Sequence, residues 1–339
     1  MEPLDALERI AFLLERDQAP TYKVEAFRRA AAIVAELDPG ELRVRTEQGR
    51  LRELPGIGDT TARVITETAS GATASYLERL EQDAAHHDGA GPGDDVQALL
   101  RGDLHLHSDW SDGGAPIERM ARTAAGLGHE YLALTDHSPR LSIAHGLTAA
   151  RLREQLEVVA RLNDELAPFR ILTGIEVDIL DDGALDQDDD LLGALDVVVA
   201  SLHSELRMDA RPMTKRMVRA VANPHVDILG HCTGRLLAGR GRKESAFDAE
   251  IVFAACRELD KAVEVNCRPE RLDPPRRLLA VVDEMGCKIS INTDAHAPGQ
   301  LAWQRYGCAR VAETGIEGER IVNSWPADDL LAWTAAHAG

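Results

Sequence analysis

Two histidines, His105 and His107, alternate with leucines in the short stretch 103–107. Because side chains two apart on a strand point to the same face, we expect both imidazoles and Asp103 to face one way and the leucines the other. Two imidazoles held side by side form half of a transition-metal site. A polar turn containing Asp112 follows and can return a carboxylate to the same ion. This stretch therefore predicts metal chemistry.

The elements that must position these donors alternate between strand and helix from Arg101 onward. We predict seven short apolar strands, at residues 103–106, 131–135, 170–177, 197–202, 228–229, 262–265 and 288–291. Helical runs lie between them, for example at 149–166, 213–222, 246–259 and 276–285. Such alternation is typical of a parallel sheet, and seven strands most simply close into an α/β barrel.

Polar residues follow nearly every predicted strand, at the end where the active sites of such barrels lie. Counting along the barrel, in and after the strands, gives nine candidate metal ligands: His105, His107, Asp112, His137, Glu176, His203, His231, Asp294 and His296. A single buried histidine is usually a hydrogen-bonded core residue, but six histidines with three carboxylates indicate metal binding. Nine ligands exceed one tetrahedral site and fit two or three ions, and the mixed set suits Zn, Mn or Fe. Clustered ions activate water and clamp the oxygens of a phosphoryl displacement, which predicts hydrolysis of a phosphate ester.

The first part of the chain has a different pattern. Residues 1–83 are predicted to be all-helical, with a helix–hairpin–helix whose turn contains Gly56, Ile57 and Gly58. Backbone N–H groups in such a turn can bind a phosphate of nucleic acid, although the same sequence also suits a plain glycine-rich turn between helices. Residues 84–99 are small, polar and glycine-rich, and we predict a flexible linker there.

Charge and cysteine content limit the possible partners and location. The formal net charge of −19 argues against broad electrostatic adhesion to nucleic acid, although 33 of the 38 basic residues are arginine, the better bidentate phosphate ligand. The five cysteines are odd in number and never form a CxxC pair, which favours reduced thiols. No signal peptide or membrane span is evident in the sequence, so we predict a cytoplasmic protein.

The motifs at the strand ends resemble those of the polymerase-and-histidinol-phosphatase (PHP) family. They are Asp103-Leu-His-Leu-His with Asp112-Gly113, Thr135-Asp136-His137-Ser138, Gly174-Ile175-Glu176-Val177-Asp178, Ser201-Leu202-His203-Ser204, Gly230-His231 and Thr293-Asp294-Ala295-His296. Segments 223–237, 266–273 and 305–307 are most similar to the PHP domain of bacterial family X DNA polymerases, and the N-terminal hairpin is similar to their small first domain. The resemblance divides the chain into a helical domain at 1–83, a linker at 84–99 and a barrel at 100–339.

The resemblance implies a (β/α)7 barrel with three metal ions and usually a preference for Mn. By analogy, one ion is held by His105, His107, Glu176 and Asp294, a second by Glu176, His203 and His231, and a third by Asp112, His137 and His296. Glu176 and Asp294 are the predicted catalytic carboxylates. In that polymerase family the barrel is a 3′–5′ exonuclease, so the implied substrate is the end of a nucleic acid, with single-stranded DNA expected.

Three departures from that family pattern change the prediction. No polymerase palm separates the two domains, so we expect no polymerase activity. The positions aligned with a Schiff-base lysine are Thr60 and Val64, so we expect no lyase activity through the usual residue. Cys232 stands where the resemblance leads us to expect proline, and we interpret it as a small packing residue rather than a ligand.

Arg235 is a further predicted catalytic residue, because it lies in the loop after His231 and could pair bidentately with a substrate phosphate. The alternative role for Arg235 is a salt bridge to one of the many acidic residues. Two other functions stay open. One is hydrolysis of a small phosphomonoester such as histidinol phosphate, which the net charge favours, and the other is a structural or adaptor role for a barrel without activity.

Overall fold

A computed structural model describes residues 1–87 and 91–338 of the chain. By packing, the chain divides into two compact units, Met1–Gly91 and Pro92–Gly339. None of the helices that the structure describes is both long enough and apolar enough to cross a membrane.

The first unit is all-helical. Its five helices are α1 (Pro3–Arg16), α2 (Thr21–Glu36), α3 (Pro39–Glu47), α4 (Asp59–Ala69) and α5 (Ser75–His87). Leu7, Ile10 and Ile65 are fully buried in its core, because apolar residues recur three and four positions apart on α1 and α4. Within the region predicted as all-helical, α3 begins at Asp38-Pro39-Gly40, a sequence that by itself is typical of a helix stop. Asp38, which ends the preceding helical pattern, also caps α3 by accepting hydrogen bonds from the N–H groups of Gly40 and Glu41.

The hairpin turn lies between a short 3₁₀ helix (Leu51–Glu53) and α4. Gly56 has a φ of 104°, and a Cβ there would lie 2.8 Å from side-chain atoms of α2, so glycine is required. The N–H of Ile57 donates to Leu54 O (3.1 Å), and that of Gly58 donates to Thr61 Oγ1 (2.9 Å). Two of the three predicted phosphate contacts therefore already have partners inside the turn, and nucleic-acid contact at the hairpin stays a prediction.

The segment predicted as a flexible linker is partly helical. Helix α5 extends to His87, and a short helix, α6 (Asp94–Gln97), follows. Val96 and Leu100 pack against the core of the second unit, so the end of the segment belongs to that unit. Residues 88–90 lie outside the described part of the chain.

The second unit is an α/β barrel, as predicted. Its seven strands are β1 (Gly102–Leu106), β2 (Tyr131–Leu134), β3 (Arg170–Asp178), β4 (Val197–Ser201), β5 (Ile228–Leu229), β6 (Ala262–Asn266) and β7 (Lys288–Asn292). All neighbouring pairs are parallel and follow chain order. The remaining helices are α7 (Ile117–Gly126), α8 (Ala149–Leu166), α9 (Asp189–Leu192), α10 (Ala210–Val221), α11 (Ala249–Glu258), α12 (Arg276–Glu284), α13 (Gln304–Val311) and α14 (Ala327–Ala335).

The barrel is nearly closed where the first strand meets the residues just after the last. The N–H of Asp294 donates to His105 O (2.9 Å), and the N–H of His107 donates to Ala295 O (2.8 Å). We call this contact the seam. Its backbone hydrogen bonds join the start of the barrel sequence, at β1, to the residues that follow β7.

The helices pack closely on the strands. Gly307 on α13 illustrates this, because a Cβ there would lie 2.4 Å from Cys267 Sγ and 2.7 Å from Ile291 Cγ2. Nearly all strand residues are buried, as expected for parallel strands covered on both faces. The carboxyl ends of the strands are consequently the places where polar side chains gather.

Candidate metal centre

All nine predicted ligands converge at the carboxyl ends of the barrel strands. Four overlapping groups of possible ligand atoms form, and within each group the atoms lie within 4.8 Å of one another. The groups are His107, Asp112, His137 and His296; His105, His107 and Asp294; His105, Glu176 and His231; and His137, Glu176 and His203. Within the described residues, these four groups contain the nine candidates and no other side chain.

Glu176 on β3 is the central carboxylate. Its Oε1 lies 2.8 Å from His231 Nε2 and 3.3 Å from both His105 Nε2 and His203 Nε2. Its Oε2 lies 2.7 Å from His137 Nδ1. Burial opposes ionisation, but the charges of His203 and His105 outweigh it and hold the pKa of the Glu176 carboxyl well below its usual range. The carboxylate is therefore ionised and can serve more than one group.

Asp112 forms the accessible corner of the cluster. Its Oδ1 lies 3.4 Å from His137 Nε2 and 3.3 Å from His296 Nε2, and its side chain is 34% exposed. Partial burial opposes ionisation, but hydrogen bonds from His137 and then His296 lower the pKa of the Asp112 carboxyl. This corner faces the solvent, whereas His105 and Glu176 are fully buried.

The donor set fits divalent cations. Several buried nitrogens make no hydrogen bond of good geometry in the described structure, although some lie close to Glu176 oxygens: His105 Nε2, both ring nitrogens of His107, His137 Nδ1 and His231 Nδ1. Burial and the nearby His296 and His137 charges hold the pKa of His107 well below its usual value, so its ring is neutral, the form that binds metals. Buried nitrogens without hydrogen bonds destabilise the folded state, and a cation bound by these nitrogens and the nearby carboxylates would remove that penalty. Divalent ions bound here would lower the pKa of a bound water and neutralise phosphate oxygens.

Two further carboxylates orient the ligands and were missed in the sequence. Glu264 on β6 is fully buried, and its Oε1 lies 2.6 Å from His105 Nδ1. Asp178 makes a short contact with His203 Nδ1. Each fixes the ring so that Nε2 faces the cluster. For Glu264 the available signal was a charged residue inside a fully buried strand with apolar neighbours.

Arg235 does not occupy the predicted position. Its Nε donates to Arg271 O (2.8 Å), its Nη2 donates to Leu272 O, and its Nη1 lies 3.5 Å from Glu244. These contacts direct the guanidinium into the loop, and Arg235 does not line the cavity above the cluster. The contact with Glu244 fits the alternative role of a salt bridge, and the catalytic role of Arg235 stays a prediction.

Arg268 and Arg271 line that cavity instead. The cavity has a volume of about 540 Å³ and also contains Asp112, His296 and Asp294 in its wall. Arg271 Nε lies 3.0 Å from Asp294 Oδ2, while its Nη1 is buried without a hydrogen-bond partner among the described residues. Arg268 Nη1 donates to Asp294 O (3.1 Å). A set of metal-ligand side chains beside two guanidinium groups is suited to a phosphate group.

Comparison with known proteins agrees with these observations. A family model described as a helix-hairpin-helix domain matches residues 1–73, and one described as a PHP domain matches residues 103–267. The chain is 41% identical over 234 residues to the DNA polymerase/3′-5′ exonuclease PolX of Bacillus subtilis (strain 168). That match covers 69% of this chain but only 41% of the relative, so the chain spans less than half of its length.

Two other similarities concern phosphatases. The chain is 30% identical over 235 residues to a probable phosphatase of Thermoanaerobacter sp. (strain X514), covering 66% of this chain and 89% of the relative. The crystal structure of histidinol phosphate phosphatase from Lactococcus lactis, complexed with zinc, L-histidinol and phosphate, matches with a TM-score of 0.48 and 18% identity. That match covers 63% of this chain and 92% of the other.

The fold and the site define a metal-dependent hydrolase that acts on phosphate esters. Within that class, the chain belongs to the PHP family, and a helix-hairpin-helix domain precedes its barrel.

Proposed function

We propose that this protein hydrolyses phosphodiester bonds at the ends of nucleic acid, as a 3′–5′ exonuclease acting on single-stranded DNA. One observation carries the proposal. The chain joins a helix-hairpin-helix domain to a cluster of metal-ligand residues, and it is 41% identical over 234 residues to a protein named as a 3′-5′ exonuclease. The proposed cofactors are two or three divalent ions, Mn, Zn or Fe, held by the nine clustered ligands.

The residues of the cavity support hydrolysis of a phosphate ester. A guanidinium group presents a planar pair of donors that matches two phosphate oxygens. Arg271 has a buried Nη1 without a partner, which a substrate oxygen would satisfy. Asp294 holds Arg271 from the opposite side, and Glu264 and Asp178 hold the imidazoles in place. The chain's own role is therefore to fix donors and cations around one phosphate.

A direct test uses single-stranded DNA labelled at its 5′ end, incubated with the protein at a fixed Mn concentration. The wild type should shorten the strand by successive nucleotides. Asp294→Ala and His203→Ala should lower the rate more than about 100-fold, because each removes a donor of the cluster. Circular dichroism should show unchanged helical content in both variants. Intact DNA with a metal-loaded wild type would refute the exonuclease proposal.

The guanidinium assignment has its own test with a small phosphodiester. Arg271→Ala should raise KM by about 10- to 100-fold, since a charge-assisted hydrogen bond is worth about 1.5–3 kcal/mol. Arg153→Ala, at an exposed position of α8 that does not line the cavity, should leave that KM near the wild-type value. Equal effects of the two variants would contradict the assignment.

A second candidate is a phosphatase for a small phosphate monoester. The net charge of −19 favours a small substrate over a polyanion, and one relative at 30% identity is named a probable phosphatase. Rapid phosphate release from small monoesters, with oligonucleotides left intact, would decide for this function. The expected absence of polymerase and lyase activity stays a prediction, and nucleotide incorporation and abasic-site cleavage assays test it.

A further inference from the structure

A basic hairpin forms one wall of the metal cavity. It comprises residues 234–243, in which four of the ten residues are basic and none is acidic: Arg235, Arg240, Arg242 and Lys243. Leu236 and Arg242 pair through two backbone hydrogen bonds of 3.0 and 2.8 Å. Gly239 and Gly241, with φ values of 65° and 64°, allow the tight turn. The hairpin therefore has a defined backbone in a chain that is otherwise strongly acidic.

The basic hairpin separates the metal cavity from a second groove. Leu236, Ala238 and Gly239 line the metal cavity. Arg240 and Lys243 line the neighbouring groove, which has a volume of about 810 Å³ and shares Leu236 with the first. An extended ligand that leaves the metal cavity across Leu236 thus enters a basic groove.

The charges in this groove are not neutralised by the protein. Its one acidic residue, Glu244, already pairs with Arg235 and Arg277. Arg207, Arg240 and Lys243 are exposed, and within the described part of the chain they form no ion pair. Unpaired cations gathered beside a phosphate-ester site suit an anion that extends out of that site.

An exposed apolar side chain outside the basic hairpin also lines the metal cavity. Ile143, on the 3₁₀ helix Ser142–Ala144, lines the metal cavity and is 88% exposed. Ile143 shares the cavity with Arg268 and Arg271, so an apolar ring can contact its side chain while a phosphate pairs with the guanidinium groups. A small sugar phosphate or inorganic phosphate makes no use of the combination.

We propose that the basic hairpin binds the backbone phosphates of a single-stranded nucleic acid whose terminal nucleotide occupies the metal cavity. The inference rests on the proposed exonuclease function and adds the path of the substrate. Arg207, Arg240 and Lys243 hold the phosphates, and Ile143 contacts the terminal base. These contacts attract the strand to a site on a chain whose net charge of −19 repels it elsewhere.

The test measures KM for oligothymidylate at several salt concentrations, with Mn fixed. Each phosphate contact to a single strand contributes about 0.7 to the slope of log affinity against log salt. Arg240→Gln/Lys243→Gln should therefore lower the slope by about 1.4 and raise KM about tenfold at about 0.1 M salt. A matched control, Arg153→Gln/Arg161→Gln on the outer helix α8, removes the same charge and should leave both values unchanged.

The apolar contact is separable in the same assay. Ile143→Ser should raise KM for oligothymidylate without changing the salt slope, because it removes no charge. All variants are surface changes, and thermal melting checks that they fold as the wild type does.

Two failures can be told apart. If the wild type cleaves oligothymidylate but the hairpin variant keeps its KM and salt slope, the inference is overturned and the exonuclease proposal stands. If the wild type hydrolyses a small ester but leaves oligothymidylate intact, the proposed function fails, and the inference with it. A control variant that shifts KM as much as the hairpin variant would also overturn the inference, since net charge alone would then explain the effect.

Discussion

Replacing Glu264 with glutamine removes one negative charge next to the metal-ligand residues while it keeps the shape of the side chain. Glu264 Oε1 lies 2.6 Å from His105 Nδ1 and accepts a hydrogen bond from Asn292 (3.1 Å). Oε2 accepts from the backbone N–H of His231 (2.7 Å) and from Asn266 (3.2 Å). When the imidazole binds through Nε2, all four neighbours are donors, so the amide group of glutamine must face a donor whichever way it turns.

The size of the effect follows from this arrangement. Losing a partner that orients a metal-bound histidine typically costs 10- to 100-fold in metal affinity, or about 1.4–2.8 kcal/mol. We expect Glu264→Gln to weaken Mn or Zn binding by that factor, measured by competition with a chelator of known affinity. Since the readout is binding of the metal alone, it does not depend on the identity of the substrate.

A matched control lies directly before β5, the strand that pairs with β6. Asp227 is also a buried carboxylate, and it contacts His337 Nδ1 (2.7 Å) and accepts from the N–H of Val198 (2.8 Å). Asp227→Asn should lower the free energy of unfolding but leave metal affinity unchanged. If both variants weaken metal binding equally, or if Glu264→Gln binds as the wild type does, the orienting role of Glu264 is refuted.

Three further predictions concern stability. Gly307→Ala should lower the free energy of unfolding by about 1–3 kcal/mol through overpacking, whereas Gly126→Ala, with nothing within 4 Å of its Cβ position, should raise it by up to about 1 kcal/mol in denaturant titrations. Burial lowers the pKa of His129 from 6.5 to about 4, so the unfolded chain binds the extra proton between these values. The free energy of unfolding should therefore fall as pH drops from about 6.5 to about 4, and less so in His129→Gln. Removing metal with a chelator should lower Tm, and re-adding Mn should restore it, because the ligands converge only in the folded chain.

Much of the barrel could be predicted because strands buried on both faces are short apolar runs. The prediction for β5 matches its bounds, and the polar residues predicted in or after the strands include every member of the cluster. Other features depend on contacts that spacing does not encode. Arg235 and Arg271 are both loop arginines, and only the path of the backbone decides which of them faces the cavity.

Helix α3 shows a different limit of sequence reading. The Asp38-Pro39-Gly40 sequence is a typical helix stop, yet an aspartate followed by proline is also a good helix start. Here the same residues end α2 and begin α3. Glu264 could have been recognised as functional, because a carboxylate within the apolar strand Ala262–Asn266 cannot contribute to hydrophobic packing.

The seam between β1 and the residues after β7 has a consequence for how this protein acquires its activity. The predicted ligands His105, His107 and Asp294 also form, through their own backbone groups, the hydrogen bonds that join the two ends of the sheet. Contacts so distant in sequence are entropically expensive and form slowly. Metal binding should consequently report the final stage of folding, and a partly assembled barrel would be unable to cut any ester before its architecture is complete.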